Sequence, residues 1–107
     1  MDPKAAKRLA YLEKITTDGS TDPFHWYCLA QEYRSQERNE DAATTFEKLE
    51  AMMPDYVPMF LMAGQLFEKM GKVDAAKAWL DKGMVAAKKK GDSHALGELE
   101  AARALLA

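Results

Sequence analysis

A lone cysteine, Cys28, stands in the whole chain, so no internal disulfide can staple the fold and stability must come from packing. Without a secretory context that thiol is expected to stay reduced in a cytoplasmic protein. An excess of either charge is missing as well. The 15 basic and 17 acidic side chains leave a formal charge of -2, which provides no cationic field to gather nucleic-acid phosphates or an anionic membrane. Long apolar runs are absent too. The longest uncharged stretch, Tyr56 to Phe67, spans 12 residues and contains proline and glycine, whereas a membrane-spanning helix takes about 20 apolar residues. Neither nucleic-acid binding nor membrane insertion is expected. The first residues carry Asp2, Lys4, Lys7 and Arg8 with no apolar run behind them, so a signal peptide is not expected either.

The motifs of catalysis are also wanting. There is no Gly-rich phosphate loop, no G-x-S-x-G and no paired acid and base at a useful spacing. His25 and His94 are far apart and neither belongs to a Cys or His cluster of ligand spacing, which argues against a metal site. Cys28 has no neighbouring histidine to activate it and reads as a small, semi-buried apolar residue. The expectation is a protein that is not an enzyme, with no catalytic residue, no cofactor and no metal.

What is present is helix. The 107 residues are 48% hydrophobic and 30% charged, rich in Ala, Leu, Lys, Glu and Met, the residues that lose least on entering a helix. A chain of this length buries roughly 65% of the surface its unfolded form exposes. Asp2-Pro3 and Asp22-Pro23 both read as helix starts, an aspartate oxygen for an orphan amide followed by a residue that needs no donor. After the first, Ala5, Leu9, Leu12 and Ile15 make an apolar stripe against a charged face turned to water. After the second a helix is expected from Phe24 to about Gln36, followed by one from about Glu40 to Met52 with Asn39 as its cap. Pro54 and Pro58 bracket a break. The spacing then predicts helices over Pro58 to Met70 and Asp74 to about Lys89, with Gly71 as the turn between them and Gly91 as the terminator. A last helix should place Leu96, Leu99, Ala102 and Leu106 on one face. Lys88, Lys89 and Lys90 read as solvated charges at a helix C-terminus, where cations complement the partial negative charge.

Two of these helix pairs repeat. Trp26, Leu29, Ala30, Tyr33, Ala42, Phe46 and Pro54 fall at W-x2-L-G-x2-Y, A-x3-F, P spacing. A shift of 34 residues lands on Phe60, Ala63, Gly64, Phe67, Ala76 and Leu80. The pattern resembles the tetratricopeptide repeat. The resemblance implies an all-α fold, an α-α superhelix of stacked helix-turn-helix repeats with about six helices. One domain over residues 1–107 is expected, made of an N-terminal capping helix (2–17), repeat one (23–56), repeat two (57–90) and a C-terminal capping helix (93–106). A third repeat is not supported, because His94, Gly97, Glu98 and Ala101 occupy its signature places. The flanking helices would cover the apolar ends of the array. Trp26, Leu29, Ala30 and Tyr33 are expected to pack against Ala42, Phe46 and Leu49, and Trp79 to pack between adjacent helices. Removing a buried Trp26 ring would then cost about 3–5 kcal/mol.

In proteins of that family the first helix of each pair lines a concave groove that holds a partner's peptide or helix. The residues this assigns here are Phe24, Tyr27, Gln31 and Arg34, with Ser35 beside them, and then Leu61, Met62, Gln65, Glu68 and Lys69. Tyrosine, phenylalanine, methionine and arginine suit such a role, since they dominate interface hot spots or adapt to a ligand's shape. One branch of the family clamps the terminal carboxylate of heat-shock chaperones with Lys and Asn. Here Tyr27, Gln31 and Met62 stand at those places, so the charge-assisted contacts are missing and that ligand is not expected. The reading is therefore an adaptor for an unidentified protein or peptide partner. The alternative is a self-associating assembly element, a homodimer joined through the groove or the terminal helices. A simpler fate for Tyr27, Leu61 and Met62 is burial under the N-terminal helix.

Overall fold

The computed structural model describes residues 2–106; the terminal residues of the expected 1–107 domain, Met1 and Ala107, lie outside the described residues. Among those described there is no strand. Six helices follow in order: α1 (Pro3–Thr17), α2 (Pro23–Ser35), α3 (Asn39–Met52), α4 (Pro58–Lys69), α5 (Val73–Lys90) and α6 (Ser93–Ala104). The all-α expectation holds, with helix ends within about two residues of those read from the sequence. The chain forms two compact units, Met1–Met53 with α1 to α3 and Pro54–Ala107 with α4 to α6.

The starts of α1 and α2 are built as the Asp-Pro pairs predict. Asp2 accepts from the Lys4 amide at 3.3 Å and Asp22 from the Phe24 amide at 2.9 Å, and Asp92 caps α6 through the Ala95 amide at 3.0 Å. Asn39 departs from expectation. It is the first residue of α3 rather than its cap, the cap position falls to Arg38, and no side chain closes that end. Glu40 and Asp41 in the first turn compensate, placing negative charge where the orphan amides carry partial positive charge.

Helix ends display the repeat in their hydrogen bonds. The Arg38 amide donates to the Tyr33 carbonyl at 2.9 Å, and 34 residues later the Lys72 amide donates to the Phe67 carbonyl at 2.9 Å. Both closures turn on a left-handed residue, which is Gly71 (φ 78°) in one and Glu37 (φ 58°) in the other. Gly91 (φ 69°) ends α5 in the same way, as its position implied.

In the first unit, Leu29, Ala30 and Tyr33 of α2 and Ala42, Phe46 and Leu49 of α3 are buried, with Leu9 contributed by α1. Trp26 corrects the sequence reading: its ring is only half-buried, and its indole N–H donates to the Ser20 carbonyl at 2.8 Å. In the second unit Phe60, Ala63, Leu66 and Phe67 face Ala76, Trp79 and Leu80, all buried. Trp79 packs as expected, 6.0 Å from the Phe60 ring and 5.9 Å from Phe67. Glycines let these helices approach closely. A Cβ on Gly64 would lie 2.6 Å from Leu80, and one on Gly83 would lie 2.5 Å from the Phe60 Cβ and 2.9 Å from Leu99. Leu99 is the one buried residue of α6, which ends at Ala104, short of Leu106.

Candidate binding cleft on the α1–α2 face

Within the first unit a cleft of about 560 Å³ opens between α1 and α2. Phe24, Tyr27 and Gln31 line it, spaced three and four residues apart so that they share one face of α2. The Phe24 and Tyr27 rings stack 6.5 Å apart at 29°, an offset arrangement that favours the pair beyond its buried area. Phe24 stays 57% exposed, so α1 forms a wall of the cleft without covering it. Tyr27 is half-buried, and burial raises its phenol pKa. Arg34 lies one turn past Gln31 and donates to its Oε1 at 3.2 Å, with its pKa lowered by burial. The cleft therefore offers the rings of Phe24 and Tyr27 and, further along α2, the Gln31 amide, which Arg34 holds from outside the lining.

The opposite wall comes from residues that the sequence reading did not assign to the site. Arg8, Tyr11 and Leu12 of α1 line it, and Tyr11 is 63% exposed. Arg8 also corrects the picture of a charged face turned wholly to water, for its Nε donates to Glu32 Oε1 at 2.9 Å. Glu32 is buried and accepts as well from Gln36 at 3.1 Å and Ser35 at 3.3 Å. The Arg8 hydrogen bond, helped by those donors, holds the Glu32 carboxyl below the usual glutamate range against the opposing effect of burial. A second tie lies further along α1, where the Tyr33 hydroxyl donates to Glu13 Oε2 at 2.6 Å. Burial, then that bond, pushes the Tyr33 phenol up to about 12. These two bonds fix the wall that α1 contributes. No spacing rule pairs Arg8 with Glu32, so only the unassigned amphipathic face of α1 hinted at it. Cys28 sits at the edge of the cleft, half-buried, and burial pushes its thiol pKa up, away from reactivity.

The remaining predicted residues belong to the second unit. Leu61 and Met62 are half-buried on α4, while Gln65, Glu68 and Lys69 are exposed. Gln65 and Lys69 follow Leu61 at one-turn intervals along α4. Among the described residues no group of three or more His, Cys, Asp or Glu side chains is placed to hold a metal ion. None of the described helices is long and apolar enough to cross a membrane.

No family model matches the chain, and no curated protein matches it. Solved structures that resemble it include a crystal structure and a solution NMR structure of a tetratricopeptide repeat domain protein from Salinibacter ruber. The crystal structure is 34% identical with a TM-score of 0.73, over 77% of this chain and 92% of that one. The NMR structure is 34% identical with a TM-score of 0.74, over 77% of this chain and 83% of that one. Six helices with a 34-residue recurrence, superposing at that identity on nearly the whole of a tetratricopeptide repeat domain, place this chain in the tetratricopeptide repeat family.

Proposed function

We propose that the chain is an adaptor that binds a peptide segment or helix of another protein, using the α1–α2 cleft in its first unit. The observation that carries this is the exposed aromatic wall. Phe24 and Tyr11 keep more than half of their surface in water beside a cleft lined by Leu12 and Tyr27, and a folded chain does not gain by leaving two such rings wet. Amide and guanidinium groups from Gln31 and Arg34 supply the polar contacts that fix a peptide's register. Leu61, Met62, Gln65, Glu68 and Lys69 of α4 are proposed as a further contact set in the second unit. The chain would then consist of two repeats, 23–56 and 57–90, between capping helices 2–17 and 93–106. It would work in the cytoplasm by positioning its partner rather than by catalysis.

Affinity capture from extracts of the source cell tests this, with wild type, Phe24→Glu and Leu61→Asp compared after circular dichroism shows equal helicity. A protein held by wild type and released by Phe24→Glu supports the cleft. Release by Leu61→Asp extends the site to α4. Capture that survives both variants refutes the proposed site and points to a contact elsewhere on the chain, whereas recovery of the chain alone refutes the adaptor reading and favours self-assembly.

A further inference from the structure

A second cavity lies on a different face of α2, and the repeat itself indicates what belongs in it. This space of about 330 Å³ is lined by Trp26 and Tyr33 of α2, Glu13 of α1, and Thr44, Thr45 and Lys48 of α3, among others. Its volume falls at the lower end of the range for ligand pockets. The 34-residue shift that relates the repeats maps Trp26 to Phe60, Tyr33 to Phe67, Lys48 to Lys82 and Thr45 to Trp79. In the second unit the indole of Trp79 fills the corresponding place. It lies 6.0 Å from Phe60 and 5.9 Å from Phe67, and the Lys82 ammonium stands 4.9 Å from its centroid. In the first unit a threonine stands where that indole is attached. The flanking aromatic pair and the lysine are kept, while the ring between them is missing.

The flanking groups retain the capacity to hold a ring. Among the described residues Lys48 has no ion pair, so its ammonium is available to lie over an aromatic face as Lys82 does. The polar wall selects the kind of ring. Glu13 uses Oε2 to accept from Tyr33, and its other oxygen and the Thr44 hydroxyl are acceptors suited to a ring that carries an N–H. Trp26, which lines this space, is half-buried, whereas Phe60, beside the Trp79 indole, is 1% exposed.

We propose that this cavity receives a tryptophan side chain of a partner protein, in the place that Trp79 fills in the second repeat. The site is separate from the α1–α2 cleft and stands whether or not a peptide binds there. An NMR titration of the full chain with N-acetyl-tryptophanamide, with N-acetyl-leucinamide and free tryptophan as comparators, tests it. The expected result is saturable movement of the Trp26 indole N–H and the Thr44, Thr45 and Lys48 amides, with half-saturation in the millimolar range. The leucine probe should bind at least about tenfold more weakly. Lys48→Met should weaken the tryptophan probe about two- to fivefold, the size of an exposed cation–π contact. Thr45→Trp, which places an indole in the cavity from within, should abolish binding and raise Tm; Thr45→Phe serves the same purpose if the larger ring prevents folding. No movement at about 10 mM probe, an equal response to the leucine probe, tighter binding of free tryptophan than of the capped form, or binding unchanged in the filled variant would each overturn the proposal.

Discussion

Replacing Gly83 with alanine should destabilise the protein even though alanine is the better helix former. In an exposed helix interior Gly→Ala gains about 1 kcal/mol, because glycine loses more backbone freedom on folding. At Gly83 the added methyl would meet the Phe60 Cβ at 2.5 Å and Leu99 Cδ2 at 2.9 Å. The Phe60 Cβ is fixed to its own backbone and cannot swing aside, so α4 and α5 must separate. Overpacking of this kind costs about 1–3 kcal/mol, and here the upper part of that range applies. Subtracting the propensity gain leaves a net loss of about 1–2 kcal/mol. Gly97 provides the control. It lies in α6 with nothing within 4 Å of an added Cβ, so Gly97→Ala should raise stability by about 0.5–1 kcal/mol. Urea unfolding followed by far-UV circular dichroism reads both variants. Equal stabilisation by the two would refute the close approach at Gly83 and with it the packing of α4 against α5 described above.

Glu37→Gly should stabilise by about 0.5 kcal/mol, because the left-handed φ of 58° strains a residue with a Cβ by roughly 1–2 kcal/mol, while glycine's added freedom in the unfolded chain returns part of that; a loss on urea unfolding would contradict this. The folded-state pKa of Glu32 lies below the ordinary value of 4.5, so the unfolded chain takes up this proton first as pH falls. Its stabilisation is complete above 4.5 and drains away as pH drops through the folded value. The stability gap between wild type and Glu32→Gln should therefore narrow between pH 6 and pH 3, and a constant gap would contradict the Arg8 pairing. Phe46→Ala, at a fully buried ring, should cost about 3–5 kcal/mol. Trp26→Ala, at a half-buried one, should cost clearly less, and equal costs would show that Trp26 is core after all.

Much of the fold was legible because its determinants are local. Asp-Pro starts, glycine stops and three-four spacing act within one or two turns, and the 34-residue recurrence doubled each signal. Asn39 does not cap α3 because Arg38 takes the cap position just before it, and one residue decides whether a side chain can reach back to the orphan amides. Trp26 departs from its expected place in the core for a different reason. Its burial depends on what other helices place beside it, and it lines an open cavity with residues of α1 and α3, a long-range fact with no trace in the spacing around Trp26. The candidate cleft was half legible: the family resemblance pointed to this face of α2 and three-four spacing placed Phe24, Tyr27 and Gln31 on it, but the wall from Arg8, Tyr11 and Leu12 depends on how α1 is tied to α2, through bonds spanning 20 and 24 residues. Gly83 carries no local signal for the same reason, since only packing distinguishes it from the exposed Gly97.

The adaptor reading is tested most directly by placing a photo-crosslinking phenylalanine analogue at Phe24 and, separately, at Val85, which is 69% exposed on α5, and irradiating both in the source cell. A covalent adduct with a different protein is expected from position 24 and none of comparable yield from position 85. Adducts only between copies of this chain, or equal yields from the two positions, would contradict it.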